Sequence, residues 1–129
     1  MIFKEIKAEH IYEMLPIEET AFRDPWDYKI LYEEIRVNPN SNYIGLFNDD
    51  ELVAYIGYWF MVDYFDITNL AVKEEYKNQG LASKLLVEVE RLAKEENVNN
   101  IFLEVSVHNE AAINLYLKHN YKKLKVIKN

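Results

Sequence analysis

A chain of 129 residues that is half hydrophobic and carries only three glycines and three prolines can bury a sizeable core. It has no composition shift to mark a linker, so a single domain over residues 1–129 is expected. Its formal charge of −7, with no local cluster of Lys or Arg, disfavours nucleic acid as a partner and favours a cationic one such as an amine or a basic peptide.

In chain order, Ile2 to Ile6 reads as a short strand with Ile2 and Ile6 on one face. His10 to Ala21 places Ile11, Met14, Leu15 and Glu18 at helical spacing, and Pro16 predicts a kink or a break into two turns. Asp27 is placed to cap a helix over Tyr28 to Val37, with Ile30, Leu31, Glu34 and Ile35 on one face. The Pro39-Asn40-Ser41-Asn42 cluster ends that helix. The turn Asn48-Asp49-Asp50-Glu51 separates strands Tyr43 to Phe47 and Leu52 to Val62, the second apolar enough to be a central strand covered on both faces. Leu52 to Val62 is also the longest uncharged apolar run, and its 11 residues are too few to span a bilayer. The N terminus lacks the pattern of a secretory signal, so a cytoplasmic protein without membrane contact is expected.

A strand over Phe65 to Val72 then leads through a polar loop to Gly80 and a helix from Leu81 to about Asn97. Leu81, Leu85, Val89 and Leu92 form its apolar stripe, and Glu90 and Lys94 are spaced to pair on the other side. Ile101 to Val105 reads as a strand, Asn109 to His119 as a helix and Tyr121 to Ile127 as a last strand. The order β-α-α-β-β-β-α-β-α-β predicts an α/β fold of the α+β kind, a mixed sheet with helices packed on it. The chain has no cysteine, and His10, His108 and His119 are dispersed. Disulfides, thiolate nucleophiles and a metal site are therefore not expected.

Three places carry candidate chemistry. The run Thr68 to Ser83 joins a strand to a helix through a loop that closes on one glycine, and the first N–H groups of such a helix form an anion site. It lacks both the three glycines of a dinucleotide fold and the Gly-Lys-Ser/Thr of a phosphate loop. Either Gly80 merely turns the chain, or it lets a phosphate-bearing ligand approach the amides, with Ala82 and Ser83 keeping the next turn small. Glu104 lies in a strand where alternation puts Ile101, Leu103 and Val105 on one face and Phe102, Glu104 and Ser106 on the other. It faces solvent, or it is a general base. Asn109 is a candidate helix cap, and Tyr116, two turns on, shares its face. That phenol packs in the core or donates a proton to a departing thiolate, and His108 beside the cap is an exposed loop histidine or a shuttle.

Taken together, these residues resemble a GCN5-related N-acetyltransferase of the bacterial ribosomal-protein-alanine N-acetyltransferase group. The similarity is carried by Glu19-Thr20-Ala21-Phe22-Arg23-Asp24-Pro25-Trp26, by Asn69-Leu70-Ala71-Val72 with Lys77-Asn78-Gln79-Gly80-Leu81-Ala82, by Leu103-Glu104-Val105, and by Asn109 to Tyr116 with Asn120-Tyr121. The resemblance implies acetyl-coenzyme A as co-substrate, bound between two splayed central strands. Backbone groups of Leu70, Ala71 and Val72 would hold the acetyl and pantetheine portion, and amides of Asn78, Gln79, Gly80, Leu81, Ala82 and Ser83 the pyrophosphate. It further implies that Asn109 contacts the pantetheine, that Glu104 deprotonates the amine and that Tyr116 protonates the coenzyme A thiolate. Pro25-Trp26 would help shape the acceptor pocket.

The implied acceptor is a protein N-terminal amine, a ribosomal protein first among them, transfer being direct within a ternary complex. A small amine or a lysine side chain, or a catalytically weak coenzyme A-binding module, are the alternatives. Two loop residues depart from the family pattern: Lys77 stands where Arg or Gln is usual, and Ala82 where Gly is frequent. The family's seventh strand is expected to be missing beyond Asn129, leaving an edge that is bare, or covered by a second copy in a homodimer, or completed by a swap.

Overall fold

The computed structural model describes residues 1–106 and 108–122. It contains one five-stranded sheet in the order β1-β2-β3-β4-β5, formed by β1 (Ile2–Glu5), β2 (Ser41–Asn48), β3 (Glu51–Phe60), β4 (Tyr64–Val72) and β5 (Asn100–Leu103). The first four strands are antiparallel, and β5 joins β4 in parallel. Between β1 and β2 run α1 (Ile11–Ala21) and α2 (Tyr28–Tyr32); α3 (Leu81–Glu95) connects β4 to β5, and α4 (Glu110–Lys118) comes after β5.

The sheet separates two apolar layers. On one side Ile11, Met14 and Ile17 of α1 and Leu31 of α2 pack with Phe47, Leu52 and Tyr55; on the other, Leu81, Leu85, Leu86, Val89 and Ala93 of α3 pack with Ile56, Phe65 and Ile67. β3 lies between the layers, and every residue from Leu52 to Tyr58 is buried, as expected for a strand covered on both faces. Each large aliphatic side chain buried this way contributes about 1.5–3 kcal/mol.

Several element limits differ from those expected on sequence grounds. α1 runs through Pro16 without a break. α2 is five residues long and passes into a π-helical turn over Glu33–Val37; Ile30 is 40% exposed, and Leu31 is the residue of α2 that is buried. Asp27 caps α2 as expected, its carboxylate accepting from the Ile30 N–H at 3.0 Å. Asp27→Ala should therefore lower stability by about 1 kcal/mol, read as a shift in the urea midpoint at unchanged slope. On α3 the ion pairs are made by Arg91 with Glu88 and Glu95 in place of Glu90 with Lys94. β3 stops at Phe60 and β5 at Leu103, both short of their predicted ends. The last predicted strand, Tyr121 to Ile127, and the edge expected beyond it fall mostly on residues 123–129, outside the described residues; Tyr121 and Lys122 have no regular structure.

One irregularity in β4 divides the strand into two halves. Gly57 pairs with Asn69 but Tyr58 with Ile67, so Thr68 is an extra residue, a β-bulge. Phe65 and Ile67 consequently face the α3 layer before the bulge, and Leu70 and Val72 face it after. Ala71 turns to the α1 layer.

Candidate active site

The β4–β5 ladder runs from Tyr64↔Asn100 to Ile67↔Leu103 and ends there, immediately before the Thr68 bulge. Beyond that point β4 continues for five residues while the chain of β5 leaves the sheet, so the two strands part. On its other side β4 stays paired with β3, Ala71 opposite Tyr55 and Val72 opposite Ala54, and the Lys73 N–H donates to the Val53 carbonyl at 2.8 Å. Antiparallel alternation then makes Ala71 and Tyr55 an exchanging pair. The N–H and C=O of Leu70 and Val72 point the other way, into the space β5 has left. Of the three β4 residues singled out from sequence, Leu70 and Val72 thus offer backbone groups to an extended ligand, whereas those of Ala71 are engaged with β3.

The same end of the sheet carries the N terminus of α3. Asn78 and Gly80 both have left-handed backbones, with φ of 64° and 76°, which shapes the Lys77–Gly80 loop; Gly80 is the helix cap. The first intrahelical bond runs from the Lys84 N–H to the Gly80 carbonyl at 3.1 Å. The amides of Leu81, Ala82 and Ser83 precede it and have no acceptor one turn back. A Cβ at Gly80 would meet nothing within 4 Å, so the space beside the helix cap is open. Buried Leu81 anchors the turn, and the Ser83 hydroxyl lies 3.0 Å from His119 Nε2, joining it to the end of α4. Asn78, Gln79 and Gly80 are exposed. Open space bounded by unpaired N–H donors suits a diphosphate, and the free strand edge beside it suits the amide-bearing arm of a coenzyme A thioester.

Glu104 is the first residue beyond β5 and is exposed; the in-and-out alternation continues through it, with Leu103 and Val105 partly buried against the α3 layer. Asp66, on β4 opposite Phe102, has its carboxyl raised above the usual range by burial and, secondarily, by the charge of Glu104. Two carboxylates therefore share the face of the fork opposite α3. Asn109 caps α4, its Oδ1 accepting from the Ala112 N–H at 3.1 Å, and its amide donors have no partner among the described residues. Tyr116 is 9% exposed and packs in T-shaped contact with Tyr121; burial pushes its phenol up to about 12, so it holds its proton across the neutral range. His108 is exposed. β4 and β5 being parallel, their C-terminal ends and the N termini of α3 and α4 meet at one end of the molecule, the usual position for a ligand in such sheets.

Sequence reasoning missed the bulge and the polar cluster beside it. Glu18 is 1% and Asn69 6% exposed, and they are bonded to each other at 3.1 Å. The only sequence signal was a carboxylate on the apolar stripe of α1.

A mixed sheet whose parallel strands part, with a helix N terminus following from the longer of them, can hold an extended ligand that carries a phosphate. Residues 8–121 match the acetyltransferase (GNAT) family, and the chain belongs to that family. It is 37% identical over 110 residues to a candidate ribosomal-protein-bS18-alanine N-acetyltransferase of Bacillus subtilis, covering 85% of this chain and 71% of the relative. The crystal structure of the ribosomal-protein-S18-alanine N-acetyltransferase from Escherichia coli superposes with a TM-score of 0.88 at 22% identity, over 96% of this chain and 79% of that one. The PaiA N-acetyltransferase from Thermoplasma acidophilum, solved with coenzyme A, superposes at 0.80 with 18% identity, over 95% and 91%. The chain is an N-acetyltransferase, and its family uses acetyl-coenzyme A.

Proposed function

We propose that this enzyme acetylates the α-amine at the N terminus of a protein, with a ribosomal-protein alanine as the first acceptor to test. The observation that carries the reading is the fork itself. β4–β5 pairing ends at Ile67 and Leu103, Leu70 and Val72 turn unpaired backbone groups into the gap, and Glu104 is the next residue on the other branch. The names of the Bacillus and Escherichia relatives support the choice of acceptor.

In this reading the backbone groups of Leu70 and Val72, on either side of the β3-bonded Ala71, hold the acetyl and pantetheine arm, Asn109 contacts that arm with its amide donors, and the amides from Asn78 to Ser83 hold the pyrophosphate. The bound co-substrate supplies an activated acyl carbon. Glu104 takes the proton from the incoming ammonium, since only the free amine is a nucleophile. Tyr116 meets the departing sulfur as donor. Its phenol at about 12 lies above an ordinary thiol near ~8.5, so it quenches the developing charge through a hydrogen bond more than by complete transfer. Among the described residues no helix is long and apolar enough to cross a membrane, and a cytoplasmic site of action fits an acceptor made on the ribosome.

Coenzyme A release measured across N-terminal peptides with varied first residues, a lysine-only peptide and spermidine tests the acceptor. Turnover highest on an Ala-initiated peptide is expected. Equal or faster turnover on spermidine or on the lysine peptide would transfer the assignment to those amines. The cradle has its own test in Gly80→Ala. A left-handed alanine costs about 1–2 kcal/mol, which disturbs the loop that presents the α3 amides, while the added methyl meets nothing within 4 Å. The Kd for acetyl-coenzyme A in titration calorimetry should rise about tenfold, the loss of one well-placed hydrogen bond to a charged group. Unchanged affinity would remove the pyrophosphate from this loop.

A further inference from the structure

Glu18 lies within α1, is 1% exposed, and has no cation among its hydrogen-bond partners. Its carboxylate is satisfied by three neutral donors from three separate elements. Oε1 accepts from the Trp26 backbone N–H at 3.0 Å, in the segment that links α1 to α2. Oε2 accepts from Asn69 Nδ2 at 3.1 Å and from the Tyr55 hydroxyl. Asn69 in turn accepts on Oδ1 from the Thr68 hydroxyl at 3.1 Å, and Thr68 is the bulge residue at which β4 and β5 part. A single buried side chain thus ties the Phe22–Asp27 segment to the branch point of the sheet, on the face shared by Asp66 and Glu104.

We propose that Glu18 is a positioning residue for the acceptor amine, one that fixes the Phe22–Asp27 segment against the fork without itself touching substrate. The assignment rests on the function proposed above for this site. Chemistry explains why a carboxylate is used. All three partners are donors, and glutamine offers one acceptor oxygen where two are needed. With its NH₂ group at Oε1 it faces the Trp26 N–H, and with it at Oε2 it faces both Tyr55 and Asn69. Either orientation sets donor against donor in a buried site. Releasing Trp26 breaks one bond and leaves Asn69 and Tyr55 in place, so Glu18→Gln should free the segment while preserving the fork. Burial, and after it the charge of Glu18, raises the Tyr55 phenol above its ordinary range, which keeps that hydroxyl a donor in the cluster.

The experiment measures steady-state kinetics with an Ala-initiated peptide, acetyl-coenzyme A affinity by calorimetry, and hydrogen exchange at the Trp26 amide, for wild type, Glu18→Gln and Glu18→Asp. Glu18→Gln should raise the peptide KM about tenfold, the equivalent of one lost buried hydrogen bond, with kcat and the Kd for acetyl-coenzyme A within about twofold. Trp26 protection should fall, and Glu18→Asp should recover part of both. Wild-type KM with retained Trp26 protection in Glu18→Gln would overturn the proposal, as would a parallel loss of kcat and acetyl-coenzyme A binding. If Glu18→Gln does not fold, Glu18→Asp decides against Tyr55→Phe, which leaves the Trp26 bond intact. Reduced protection and raised KM in the first but not the second support the role, and wild-type values in both overturn it. Should the wild type acetylate no peptide, the acceptor reading fails by itself. Glu18 is then judged by Trp26 exchange alone, loss in Glu18→Gln supporting it and persistence overturning it.

Discussion

Glu104→Gln is expected to lower kcat/KM for the amine acceptor by about 10²–10⁴, the usual contribution of a positioned general base, while acetyl-coenzyme A binds as before. The substitution keeps size and hydrogen-bonding reach at an exposed position just beyond β5, so stability should not change. The loss should be largest at low pH, where the amine arrives fully protonated, and should shrink as pH approaches the acceptor's own ionisation. Asp66 is a rival carboxylate on the same face, and its raised ionisation, from burial first and the Glu104 charge second, makes it the group to test beside it. If Glu104→Gln turns over at the wild-type rate and Asp66→Asn does not, the base is Asp66. If both turn over normally, the amine loses its proton to solvent.

The largest effect on stability is expected from Gly57→Ala. Gly57 sits in the middle of β3, between Tyr43 on β2 and Asn69 on β4. A Cβ there would stand 2.5 Å from Tyr43 Cζ and 2.5 Å from Asn69 Oδ1. Neither neighbour can yield cheaply. The Tyr43 ring is 4% exposed and Asn69 is held by Glu18 and Thr68. Overpacking of this kind costs about 1–3 kcal/mol, and a displaced Asn69 leaves buried polar groups unsatisfied at a similar cost. A total of about 3 kcal/mol or more should appear as a fall in Tm on the order of 10 °C. A change below about 1 kcal/mol would show that the sheet relaxes around the methyl group, since even a single methylene is normally felt in a packed interior.

Much of the fold was legible because local signals agreed with one another. The Asp27 cap, the buried run from Leu52, the Leu81–Leu85–Val89 stripe and the Asn109 cap each have a short-range physical cause, and each is present. What the sequence hid depends on partners far along the chain. Glu18 read as one more position on an amphipathic stripe, and its carboxylate finds Tyr55 and Asn69 only when β3 and β4 assemble, 37 and 51 residues away. Pro16 predicts a kink or a break, yet α1 is continuous through it, with Met14 and Ile17 on either side packed in the core. The glycine loop, the Leu70–Val72 strand and Glu104 could be selected from residue type and spacing. That the first two open onto one space depends on where a ladder stops, and no single residue announces that.

The bulge at Thr68 makes the phase of β4 a matter of count. Side chains alternate correctly on either side of it, and the two halves are out of step by one residue, so that Ile67 and Leu70 address the same layer. The opening between β4 and β5 is accordingly specified by the number of backbone units more than by the identity of any lining side chain. Exchanging a lining side chain leaves that count intact. Removing Thr68 would bring the two halves into step with Asn69 and Ala71 still on the α1 layer, and would invite the parallel ladder to continue, closing the opening by arithmetic alone.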